Sequence, residues 1–273
     1  MIRFSAIIFE IRRYRAIFFC CTMSPTISIH AEEIFKIGNF PVTNTILLST
    51  LVFVVFCVLV FVIRRRITMI PNMLQSMAEL ILEGALSIMD SVLLDRRKSE
   101  KYLPLVLTIF LFILFSNWLG LLPGVGSIIV NREGEASIPL FRSPASDLNF
   151  TLALALISVT LINIFGVSAI GLRSRVSVFI NFKSPIDFFV GILELISEFA
   201  KIISFSFRLF GNVLAGEVLL TIMAFLMPYV PPFPFVFLET FVSLIQAFVF
   251  AMLTLIFIAM ATTEHGETEG VHA

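Results

Sequence analysis

The chain has 273 residues, of which 58% are hydrophobic and only 14% charged, against about 45–50% and about 25% in a soluble domain. That leaves too little polar surface to cover a water-exposed globule, so the chain reads as an integral membrane protein. Nineteen Lys and Arg balance nineteen Asp and Glu, which leaves no overall field for a polyelectrolyte and excludes nucleic acid as a partner.

A membrane-crossing helix needs about 20 mostly apolar residues, and charge-free runs mark the crossings in chain order. Residues 1–22 carry Arg3, Arg12, Arg13 and Arg15 among apolar stretches too short for a signal-peptide core. Residues 1–36 are therefore set apart as an amino-terminal extension on the outer side, partly absent from the mature chain through cleavage or a start at Met23. The first run has its core at Ile46 to Ile63. PNMLQSMAELILEGALSIMDSVLL, from Pro71, has apolar residues at helical spacing with Glu79, Glu83 and Asp90 between them, which suits a helix lying in the interface. DRRKSEK, Asp95 to Lys101, reads as a solvated loop. Tyr102 to Leu122 and Leu148 to Leu172 are the next two crossings.

Pro185 to Pro228 is apolar but holds Asp187, Glu194, Glu198, Lys201, Arg208 and Glu217, with no proline inside. As one helix it would be roughly 63 Å long, twice a hydrocarbon core of about 30 Å, and would have to tilt steeply or break. MPYVPPFP, Met227 to Pro234, reads as the turn of a hairpin, and Thr240 to Thr263 as the last crossing. With no internal repeat, the prediction is one all-α polytopic membrane domain, residues 37–265. It would have about five crossings and an interfacial helix, and an acidic tail, 266–273, would follow it.

Lys and Arg cluster in the loops meant for the cytoplasm. Arg64, Arg65, Arg66, Arg96, Arg97, Lys98 and Lys101 lie on one side, joined by Arg173, Arg175 and Lys183 after two further crossings. The intervening loop has only Arg132 and Arg142. The amino end is thus expected outside and the acidic tail inside; the arginines of residues 1–22 run against this rule.

An ionised side chain at mid-membrane costs about 2.5–3.5 kcal/mol, so each one marks a functional site. At about 100° per residue, Glu194, Glu198, Lys201, Arg208 and Asn212 fall within about 40° of one line, Ser204 flanks it, and Glu217 faces elsewhere. Glu239, Ser243 and Gln246, spaced by four and three, form a second stripe. Glu198 and Lys201 also admit a purely structural reading as an internal pair. Arg208 has no acidic residue at i±3 or i±4, so its counter-charge has to come from another helix or subunit. A guanidinium stays charged when buried and cannot relay protons, whereas desolvated carboxylates can load and unload them. An obligate cation with exchanging acids on either side is a design for ion translocation.

SFSFRLFGNVLAGEVLL (Ser204 to Leu220) resembles the signature of subunit a of F-type ATP synthases. PNMLQSMAELI, FSNWLGLLPG, SPASDLNFTLALAL and LIQAFVFAMLTLIFIAMA resemble the family's other segments in its order. The resemblance implies that Arg208 faces the ring of c subunits, displaces protons from its carboxylates and separates two aqueous half-channels. It also implies that Asn212, Glu217 and Gln246 line the outer access path or the arginine's surroundings, with Glu194 and Ser204 on the cytoplasmic side. Asp147 and Asn149 match polar residues near the outer mouth. The implied partners are the c ring, the b subunits of the peripheral stalk and the rest of the synthase. The implied location is the bacterial plasma membrane, with the mitochondrial inner membrane as the alternative. Glu239 departs from the pattern, since some members have histidine there. If it neighbours Glu217, two buried carboxylates cannot cheaply both ionise, which makes an exchanging pair.

No nucleotide chemistry is expected in this chain. A stand-alone proton-coupled secondary transporter is the alternative, but such folds show repeat-related halves. His30, His265 and His272 lie outside the spans and Cys20, Cys21 and Cys57 lack ligand spacing, so neither a metal nor a cofactor is expected.

Overall fold

The computed structural model describes residues 33–37, 40–65, 67–68, 72–122, 129–130, 138–139, 141–171, 185–226 and 232–262. Its helices are α1 (Asn44–Arg65), α2 (Met73–Leu93), α3 (Arg96–Leu121), α4 (Leu148–Ile170), α5 (Pro185–Leu226) and α6 (Pro232–Thr262). All but α2 are long and apolar enough to cross a membrane, which matches the five predicted crossings. Two short antiparallel pairings also occur, β1 (Glu33–Ile37) with β2 (Phe40–Thr43) and β3 (Ile129–Val130) with β4 (Ile138–Pro139). Most of residues 1–36, the loop with Arg173, Arg175 and Lys183, and the acidic tail lie outside the described residues.

Local chemistry sets the helix ends. DRRKSEK is not a loop: α3 begins at Arg96, because the Asp95 side chain caps it by accepting from the Arg97 amide at 3.0 Å. Cations in a first turn oppose the helix dipole, and Arg96 offsets this by pairing with Asp90 at 2.7 Å and Glu100 at 3.2 Å. Asp147 caps α4 in the same way, accepting from the Asn149 amide at 2.9 Å. That helix stops at Gly171, whose φ of 92° suits a residue without a side chain. α6 starts inside the proline-rich stretch, at Pro232, since the first turn of a helix does not use the missing amide hydrogens. The rest of the predicted turn, residues 227–231, lies outside the described residues.

α5 runs unbroken for 42 residues. It packs on α4 and α6, while α6 is held from the other side by α3. Phe205 of α5 is the keystone: it is 1% exposed, stacks on Phe250 with ring centres 4.7 Å apart, and meets Phe257 edge-on at 5.7 Å. Ile109 and Ile113 of α3, Ala155 and Val159 of α4 and Ala247 of α6 complete that core. α1 buries little, leaving Phe53, Val54, Val58 and Phe61 exposed, a composition at ease in lipid tails rather than water. α2 covers α3 and touches α6, with Met73, Leu74, Met77 and Leu80 exposed beside Glu79 and Glu83.

Candidate functional site

The two sides of α5 differ. Phe205, Leu209, Val213 and Gly216, three or four residues apart, are buried. A neighbouring strip of Ser204, Phe207, Arg208, Gly211, Asn212 and Ala215 is exposed. Arg208 lies near the middle of the helix, and its Nη2 donates to Ser204 Oγ at 3.2 Å, one turn earlier. Among the described residues no carboxylate pairs with it, as its sequence surroundings predict. A side chain added at Gly211 would meet nothing within 4 Å among the described residues, so this glycine serves no contact with them.

Between α5 and α6 runs a polar seam. Asn212 Nδ2 donates to Gln246 Oε1 at 2.9 Å, joining the two predicted stripes. Glu239, Ser243 and Gln246 are all buried. The Glu239 carboxylate packs directly on Gly216, in the space a β-carbon would take there. The helices can approach here only because position 216 is glycine.

Glu217 is not hydrogen-bonded to Glu239 among the described residues. Its Oε1 accepts from Arg142 Nε at 3.0 Å and its Oε2 from Arg142 Nε and Nη2, each at 3.3 Å. Glu217 thus forms a cation–anion fork with Arg142, from the stretch before α4. Both acids line one cavity of about 350 Å3, together with Asn117, Arg142, Ser143 and Ser243. The Asn117 amide and the Ser143 hydroxyl are buried without protein partners among the described residues. They are the polar groups that water in the cavity would meet.

Toward the start of α5, Lys201 Nζ reaches Glu198 at 2.8 Å and Glu194 at 4.0 Å, and Asn163 of α4 donates to Glu198 at 3.1 Å. The internal Glu198–Lys201 pair expected from the helical spacing is formed. Asp147, besides capping α4, accepts from Thr45 Oγ1 of α1 at 3.2 Å, while Asn149 is exposed. Thr151 of α4 and Ser206 of α5 share a buried hydrogen bond at 3.1 Å.

The family model described as ATP synthase A chain matches residues 46–259, from the first described crossing to the last. The chain belongs to the ATP synthase A-chain family. It is 34% identical over 201 residues to ATP synthase subunit a of Campylobacter jejuni subsp. jejuni serotype O:23/36, covering 72% of this chain and 80% of that one. It is 34% identical over 244 residues to the Helicobacter pylori (strain Shi470) subunit, covering 86% and 99%. Against the Moorella thermoacetica subunit it is 31% identical over 231 residues, covering 85% and 96%. As a member of that family it is a multi-pass, proton-translocating subunit of the synthase membrane sector and works with the rest of that complex.

Within this chain the structure gathers Asn212, Glu217, Glu239 and Gln246 at the α5–α6 seam and sets Arg208 beside Ser204. Glu194 is apart, with Lys201, and Asp147 and Asn149 stand at the α4 cap. Arg142, Asn117 and Asn163 were absent from the predicted site. Arg142 sits in a non-helical stretch where no periodicity assigns it a face. Its positive charge, one of two in a loop expected to be poor in cations, was the available signal.

Proposed function

We propose that protons enter a half-channel from the outer side through the cavity between α3, α5 and α6, and neutralise a carboxylate on a rotating ring of c subunits. They leave to the cytoplasm after most of a turn. Arg208 separates the two half-channels and displaces the proton from each arriving ring carboxylate. The observation that carries this reading is an obligate cation exposed at mid-helix on the longest apolar helix, with no ion partner among the described residues of this chain. A lone exposed charge at membrane depth costs about 2.5–3.5 kcal/mol, and a ring carboxylate offsets that cost.

Asn212, Glu217, Glu239 and Gln246 line the outer path, Glu194 and Ser204 the cytoplasmic one, and Asp147 and Asn149 the outer mouth. Residues 37–265 are the membrane domain, residues 1–36 an extension and 266–273 an acidic tail. The amino end is outside and the tail inside a bacterial plasma membrane. Support comes from the cations Arg64, Arg65, Arg96, Arg97, Lys98 and Lys101, all at the end of the bundle away from the cavity. At roughly 63 Å, α5 crosses a core of about 30 Å only if inclined by about 60°, which gives it a long face along the ring. The peripheral stalk b subunits hold the chain still. Each proton contributes about 2.3 kcal/mol per 100 mV, so several are summed through rotation.

The test is ATP-driven proton pumping in inverted vesicles holding equal amounts of assembled complex with Arg208 or Arg208→Ala. Coupled pumping is lost while passive leak is kept or rises; normal pumping would overturn the reading and reopen the stand-alone transporter.

A further inference from the structure

We infer that Arg142 is a positioning residue for proton entry. It holds Glu217 as a fixed anion in the cavity wall and leaves Glu239 as the carboxyl that exchanges protons there. The inference rests on the entry path proposed above and refines it, because it makes the two acids of that path unequal.

Four observations carry it. Arg142 is only 8% exposed, so its charge is committed inside the protein and not to the surrounding water. Both oxygens of Glu217 accept from it, which binds the carboxylate as a fork and fixes its orientation. Glu239 lines the same cavity, is buried, and has no ion pair among the described residues. Its carboxylate is seated on the Gly216 backbone, and the Asn212–Gln246 hydrogen bond lies one turn before Gly216 on α5 and two turns after Glu239 on α6. Among the described residues, the charged and titratable groups lining this cavity are Arg142 from the 141–147 stretch, Glu217 from α5 and Glu239 from α6; α3 contributes the uncharged Asn117.

An ion pair of this kind has a signature that a proton carrier lacks. Removing Arg142 alone frees a second acid in the cavity. Removing Glu217 alone leaves a buried cation that repels incoming protons, and removing both leaves neither. Pumping per assembled complex is therefore measured over a range of pH for Arg142→Gln, Glu217→Gln, the double variant, Arg142→Lys and Glu239→Gln. Each single neutral change at the pair lowers pumping about tenfold or more, and the double variant recovers most of that loss. Arg142→Lys keeps the wild-type pH profile at a lower rate, whereas Arg142→Gln alters the profile, which a purely structural anchor would not do. A double variant as inactive as Glu217→Gln makes Glu217 a carrier and overturns the inference, as does a changed profile in Arg142→Lys. Unchanged pumping in Glu239→Gln would instead refute the entry path on which the inference stands.

Discussion

Replacing Gly216 with alanine tests the seam between α5 and α6 most directly. The three atoms that a β-carbon there would overlap are the carboxyl carbon and both oxygens of Glu239. Glu239 is 8% exposed and its neighbour Ser243 is 2% exposed, so the carboxylate has little free volume on its own side. It has to swing into the cavity, or the two helices have to part. Overpacking of this kind costs about 1–3 kcal/mol, and a shift of that size lowers the ratio of native to displaced seam about 5- to 150-fold. ATP-driven quenching of a pH-sensitive dye in inverted vesicles, normalised to assembled complex, should fall by at least about fivefold. Glu239→Asp withdraws the carboxylate by one methylene, so Gly216→Ala with Glu239→Asp should pump better than Gly216→Ala alone. Gly84→Ala is the control, since nothing lies within 4 Å of a β-carbon there, and it should leave pumping intact. Wild-type pumping in Gly216→Ala, or no gain from the shortened acid, would refute the argument that this glycine exists to seat Glu239.

Two further outcomes follow from the packing. Asp147→Ala removes the α4 cap and the acceptor for Thr45, and should lower the thermal stability of the purified complex by about 1 kcal/mol; Asp147→Asn, which still caps, should restore most of it. Phe205→Ala opens a hole in the aromatic cluster with Phe250 and Phe257 and should cost about 3–5 kcal/mol, seen as a fall in assembled complex, with Phe205→Leu intermediate.

The interior of each crossing was legible because the bilayer imposes a local criterion, a sufficient run of apolar residues, which a chain satisfies or fails without reference to its neighbours. The ends were less so. α3 starts at Arg96 because one aspartate caps it and two carboxylates hold its first cation. The charge run that reads as a loop is in fact solvated helix. Helical phase likewise put Glu239, Ser243 and Gln246 on one side of α6, and all three prove buried. It joined Glu198 to Lys201, a pair that a single helix makes by itself.

Phase could not reveal what stands across from each stripe. Glu217 and Glu239 looked like partners because their helices were adjacent in the chain. The partner of Glu217 comes from 75 residues earlier, in a stretch with no periodicity to read. By itself, then, the sequence determined the family, the membrane crossings and the isolation of Arg208, all properties of one segment and its solvent. Only the tertiary structure decided which acid is paired and which is seated on glycine. Those contacts depend on how closely two helix backbones approach, a distance set by the packing of the whole bundle.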